Sequence, residues 1–230
     1  YWHAVKRITL INKKINNEKI AIDFLEKNFN QIKKPSTKIY FDMANLYKTF
    51  DKFEESIKYY TQVINALNEK HPKYSDVLYR RGGSYERLKM WKNSDNDLLR
   101  SIELNSENPH VLNYLAYSWL EREHKIEEAM NMLILAHNKK PNDPYITDSI
   151  AWAYFLVADY AKAEELIIHA LKFLPSDPII NDHYGDILWK LNKNLQANYI
   201  WNYVSKMEDA TSEIKEKIKT KLIFGLDKLS

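Results

Sequence analysis

Across 230 residues, 45% of the side chains are hydrophobic, enough for a substantial core, and the formal net charge is only +3. No run approaches the roughly 18 apolar residues that span a bilayer, and the opening stretch YWHAVKRITLINKK is too charged for a signal peptide. The lack of cysteine removes disulfides, thiolate zinc sites and cysteine nucleophiles together, while leaving the compartment open.

Four glycines and seven prolines imply short, sparse turns, as in an all-helical chain. The first residue is tyrosine and leads directly into a helix-like pattern, so the chain is expected to be cut from a longer precursor. Charge is uneven along it. Residues 1–35 hold eight Lys/Arg against three Asp/Glu, and residues 142–190 hold three Lys against eight Asp/Glu.

In chain order, a degenerate unit over 3–36 keeps Ala21 and Leu25 at helical spacing. Ala44, Tyr47, Ser56 and Tyr60 mark a unit over 37–73, and Gly82, Tyr85, Ser94 and Leu98 one over 75–108. Ala116, Trp119, Ala129, Ala136 and Pro141 mark 109–142, with one extra residue in the turn near Glu123 to Lys125. In 144–176, Asp143 is a good N-cap and Pro144 suits the first turn, where a missing N–H costs nothing. Ile146, Ile150, Ala151, Tyr154 and Phe155 form one apolar stripe; after a break at Ala158 and Asp159, Ala163, Leu166, Ile167, Ala170 and Leu171 form a second. The next unit, 178–211, repeats the pattern: NDPYITDSIAW from Asn142 and SDPIINDHYGD from Ser176 stand 34 residues apart, with Gly185 in place of Ala151, Ala197 of Ala163 and Trp201 of Ile167. Over 212–230, Ile214, Ile218, Leu222, Leu226 and Leu229 line one face while Lys215, Lys217, Lys219, Lys221 and Lys228 decorate the rest. That reads as a capping helix, or alternatively as a basic helix lying on a membrane.

A helical hairpin repeated at this period with small residues at fixed places resembles the tetratricopeptide repeat (TPR), over nearly the whole chain. The resemblance implies an all-α, right-handed superhelical solenoid of six hairpins with a C-terminal capping helix, forming a single domain over 1–230. The segments NYLAYSWLEREHKIEEAM, DPYITDSIAWAYFLVADYAKAEELI and DPIINDHYGDILWKLNKNLQANYIW are similar to a bacterial subfamily with the pattern NYLGYS, DSLGWA and INDHLGDAYW. Here Ala116 and Ala151 replace its glycines and Tyr184 a leucine. That resemblance, confined to 113–204, implies an adaptor lipoprotein of the bacterial periplasm or outer membrane, some members serving carboxyl-terminal processing proteases. A cytoplasmic location is the alternative.

In such an array the first helix of each hairpin lines a concave groove. Helical register puts Asn45 and Lys48, Tyr79 and Glu86, Asn113 and Tyr117, Asp148 and Trp152, and Asp182, Asp186 and Trp189 in it. The expected partner-binding set is Asn113, Tyr117, Asp148, Trp152, Asp182, Asp186 and Trp189, with the aspartates and tryptophans taking an extended, basic segment through charge-assisted hydrogen bonds and cation–π contact. The competing reading is that the tryptophans pack between hairpins and the aspartates bond locally. The Lys/Asn set with which such folds clamp a terminal carboxylate is largely missing, its places holding Phe41, Asn45, Tyr79, Gly83, His110 and Tyr114.

Asp182, His183 and Asp186 do not make a metal set, because His183 belongs one helical step off the aspartate face. No HExxH, phosphate loop or nucleophile elbow occurs, so no catalytic residue, metal or cofactor is expected. The basic N-terminal stretch lacks the interleaved aromatics of a nucleic-acid platform. The expected function is therefore a protein-binding scaffold or adaptor. The alternatives are an accessory domain of an enzyme whose catalytic part lies elsewhere, and a nucleic-acid-binding helical repeat.

Overall fold

Asp143 and Asp177 close the starts of their helices: the first carboxylate accepts from the backbone N–H of Tyr145 and Ile146, the second from Ile179 and Ile180. Pro144 and Pro178 follow at the first helical position. Four residues past each cap the pattern recurs in side chains, Thr147 Oγ1 donating to the Asp143 carbonyl and Asn181 Nδ2 to that of Asp177. The repeated Asp-Pro is thus a helix-start device.

The computed structural model describes residues 1–15 and 17–226, and those residues form thirteen α-helices with no strand among them. Two compact units are present. The first, Tyr1–Glu107, holds α1 (Trp2–Ile15), α2 (Glu18–Phe29), α3 (Thr37–Thr49), α4 (Phe53–Ala66), α5 (Tyr74–Arg87) and α6 (Trp91–Leu104). The second, Asn108–Ser230, holds α7 (Pro109–Leu120), α8 (Ile126–Lys139), α9 (Pro144–Leu156), α10 (Tyr160–Phe173), α11 (Pro178–Lys190), α12 (Asn194–Ser205) and α13 (Ser212–Phe224). Within each unit, consecutive helices pair as hairpins and each hairpin stacks on the next.

The turns within the five hairpins from α3–α4 to α11–α12 share one device. Asp51, Lys89, Glu123, Ala158 and Asn192 are all left-handed. The following N–H reaches back five residues, Lys52 to the Tyr47 carbonyl, Met90 to Tyr85, His124 to Trp119, Asp159 to Tyr154 and Lys193 to Leu188. This is a Schellman ending, which satisfies carbonyls the helix leaves open. None of the five residues is glycine, so the turn is held by these bonds and by packing. The extra residue of the 109–142 unit is absorbed by a second left-handed residue, Lys125.

Small residues set helix spacing as the repeat pattern implies. Ala116, Ala129, Ala151, Ala163, Ala170 and Ala197 are wholly buried. A Cβ at Gly185 would lie 2.4 Å from Trp201 Nε1, so the glycine makes room for the tryptophan that fills this hairpin. On α13, Ile218 is buried, and Ile214 and Leu222, with Leu226 just past the helix end, pack against the cluster of Leu188, Trp201 and Val204. That helix caps the unit as expected; Lys228 and Leu229 lie outside the described residues. One expectation is overturned: Lys221, assigned to the solvated face, is buried.

Candidate functional site

The site grows from a register. Counting from the small residue of each first helix, Asn113, Asp148 and Asp182 stand three places before Ala116, Ala151 and Gly185, while Tyr117, Trp152 and Asp186 stand one place after. Helices α7, α9 and α11 pack side by side, so these positions form two rows across the unit.

Asp148, Asp182 and Asp186 are buried, at 5%, 9% and 5% exposure, and each is bound within the chain. His183 Nδ1 lies 2.8 Å from Asp148 Oδ1. Lys221 Nζ donates to Asp182 Oδ1 at 2.6 Å and approaches Asp186 at 2.7 Å, and Trp201 Nε1 donates to Asp186 Oδ1 at 3.1 Å. The aspartates, expected to reach for a basic segment, instead bond within the chain, as the competing reading has it. The carboxylates are close enough to neighbouring helices for internal cations to take them, and a buried carboxylate demands such a partner. His183, expected off the aspartate face, is aimed at Asp148 from the adjacent helix.

The register explains which carboxylate meets which cation. Helix α13 packs on α11 and α12 as α11 packs on α9 and α10. The aspartate of α9 takes His183 from α11, and the equivalent aspartate of α11 takes Lys221 from α13. Asn113, the equivalent residue of α7, finds Ser149 at the corresponding place on α9, but Ser149 Oγ donates to its own helix at the Tyr145 carbonyl. Asn113 Oδ1 is left buried with no hydrogen-bond partner.

Beside these polar contacts runs an aromatic row. The His183 ring stacks on Trp152 at 4.4 Å and 17°, Trp152 stacks on Phe155 at 4.6 Å and 11°, and Tyr117 lies 6.4 Å from His183. Trp152 Nε1 is buried and unpartnered. Trp189 lies apart from this row, packed on Trp201 at 5.5 Å and against the backbone at Gly225.

Electrostatics follow from the geometry. Burial opposes the imidazolium of His183, but Asp148, then Asp182 and Asp186, outweigh it and raise the pKa to about 9, so the ring is charged at neutral pH. Burial lifts the Asp186 carboxyl to about 6, further than Lys221 pulls it down. Burial also raises the Tyr117 phenol, with Glu121 and Asp148 adding to it. No group of three or more metal-ligating side chains occurs among the described residues.

In the first unit the groove candidates meet a cationic cluster that sequence reasoning missed. Asn45 Oδ1 accepts from Tyr60 and from Arg80, and Arg80 also binds Asp76. Half-buried Lys48 has its pKa lowered by burial and then by Arg80 and Arg87. Burial raises Tyr79. Arg80 and Arg87, seven places apart on α5 and so on one helix face, were the available signal.

Stacked hairpins with buried small residues at their contacts define the architecture of a tetratricopeptide-repeat protein. The model of the tetratricopeptide repeat matches residues 37–66. The chain is 29% identical over 125 residues to the TPR repeat-containing protein PA4667 of Pseudomonas aeruginosa; the match covers 54% of this chain and 21% of that protein, so it spans about a fifth of the relative's length. Among solved structures, a thermophilic TPR protein of Thermus thermophilus, TTC0263, has a TM-score of 0.67 at 12% identity, over 82% of this chain and 100% of that one. PilF of Pseudomonas aeruginosa gives 0.64 at 15%, over 84% and 91%. MamA of Desulfovibrio magneticus gives 0.62 at 15%, over 76% and 97%.

Proposed function

We propose that this protein is a scaffold whose second unit holds an extended segment of a partner protein along α7, α9 and α11. The observation that carries the reading is the pair of buried polar atoms without a hydrogen-bond partner, Asn113 Oδ1 and Trp152 Nε1, on adjacent first helices. Both side chains are partly exposed, so a small turn of each presents its polar atom to an extended backbone, which offers an N–H for the first and a carbonyl for the second; pairing a buried polar group is worth more than leaving it unmade. Asn113, Tyr117 and Trp152 touch the segment. Asp148, Asp182, Asp186 and Trp189 act from behind, fixing the helices that present those three. Because the three carboxylates are bound internally, a neutral polar and apolar segment suits this surface better than a basic one. Lys48, Arg80 and Arg87, of which Arg80 is already paired with Asp76, favour a second reading for the first unit, a segment ending in a carboxylate.

The finer reading, an adaptor for a carboxyl-terminal processing protease in the bacterial cell envelope, is supported by the resemblance of residues 113–204 alone. The test is quantitative capture of cell-envelope proteins by the wild-type chain and by Asn113→Leu with Trp152→Phe, which keeps the stacked ring but removes both polar handles. The expected outcome is partner recovery reduced by about tenfold or more. Equal recovery by both forms rejects this surface, and recovery lost only with Lys48→Ala and Arg87→Ala moves the site to the first unit.

A further inference from the structure

On the side of the second unit built by α8, α9 and α10, away from the residues treated above, lies a cavity of about 570 Å³. Its walls are apolar at Ile134, Ile150 and Leu166, and its polar lining comes from His137, Lys162, Glu165, His169 and Lys172. The charges do not balance. Lys162 is paired with Glu165 at 2.7 Å, whereas Lys172 adds a further positive charge. His169 Nε2 faces Asn142 Oδ1 at 3.3 Å, and His137 Nε2 is buried with no hydrogen-bond partner.

We propose that this cavity binds a carboxylate carried on an apolar body, with the carboxylate between His137, His169 and Lys172 and the body against Ile134, Ile150 and Leu166. One net positive charge and two imidazoles match a monoanion; a phosphate dianion would meet Glu165 with too little countercharge. The pKa of His137 is lowered by burial and then by His169 and Lys162, so the ring sits in positive surroundings that an anion relieves. Glu165 and Tyr154 complete the titratable lining, and Lys162 stays with Glu165 when the ligand binds. The site is independent of the α7, α9 and α11 surface.

A free fatty acid and the C-terminus of an apolar peptide share this chemistry. The full chain is titrated with octanoate, octanamide, acetyl-Leu-Leu bearing a free carboxylate, and its amide, while the imidazole protons of His137 and His169 are followed by NMR. Both acids should give saturable shifts at these rings and raise the His137 titration midpoint, and the amides should not. Whichever acid binds about fivefold tighter names the source. Lys172→Gln, at an exposed position, should weaken the acids about fivefold or more and leave the circular dichroism spectrum unchanged. No saturable shift at either ring up to about 10 mM acid, or amides binding as well as acids, overturns the proposal.

Discussion

Lys221 and Asp182, 39 residues apart, form a buried ion pair at 2.6 Å that fastens α13 to α11, and the same ammonium lies 2.7 Å from Asp186. Lys221→Ala leaves two carboxylates buried without their cation, and breaking such a contact is costly because the remaining charges stay desolvated. A loss of about 3 to 5 kcal/mol is expected, measured by urea denaturation. Lys221→Met combined with Asp182→Asn and Asp186→Asn should lose less, since no uncompensated charge remains. Equal losses in the two variants would show that packing, not charge, holds α13.

Stability should fall in alkali through His183. Its pKa is raised from 6.5 to about 9, so the stabilisation is fully present below pH 6.5 and disappears as pH rises through about 9. Asp186, raised from 3.8 to about 6, acts in the same sense between those two values. The groups facing His183 are Asp148 from α9, Asp182 and Asp186 from α11, and Tyr117 from α7. A loss of about 3 kcal/mol between pH 6.5 and 9 is expected. Asp148→Asn should be less stable at pH 6.5 and show a flatter profile over this range; an unchanged slope would remove Asp148 from the account.

Gly185→Ala should destabilise by roughly 1 to 3 kcal/mol, because its Cβ meets Trp201 Nε1 at 2.4 Å and that nitrogen is held by Asp186. Gly82→Ala, whose Cβ meets Leu98 Cγ at 2.9 Å, should lose less, the aliphatic side chain being bound by no hydrogen bond. Thermal midpoints of the two variants check the order.

Ending the chain at Lys206 removes α13. Leu188, Trp201 and Val204 then lose their cover, and Asp182 and Asp186 lose Lys221. Reduced helicity or aggregation is the expected result by circular dichroism and light scattering. A soluble, cooperatively unfolding fragment would refute the role assigned to the cap.

The hairpins, their caps and their small-residue contacts were legible in the sequence because each depends on a local rule. Asp before Pro marks a helix start, apolar residues at helical spacing mark a buried stripe, and alanine or glycine at a fixed place marks a close approach. The recurrence at 34 residues tied these marks into a repeat. What local rules do not contain is the destination of a polar side chain that could point either to solvent or to a neighbouring helix. Asp148 and Asp182 look alike in sequence, yet one meets His183 and the other Lys221, because one is followed by a further hairpin and the other by the cap. Lys221, one lysine among several on α13, is buried only because two carboxylates wait on α11. The sequence by itself determined the repeated hairpin and the register of its aspartates; the tertiary structure alone decided that their charges are spent inside the fold, since an ion pair 35 to 39 residues long exists only once the helices have stacked.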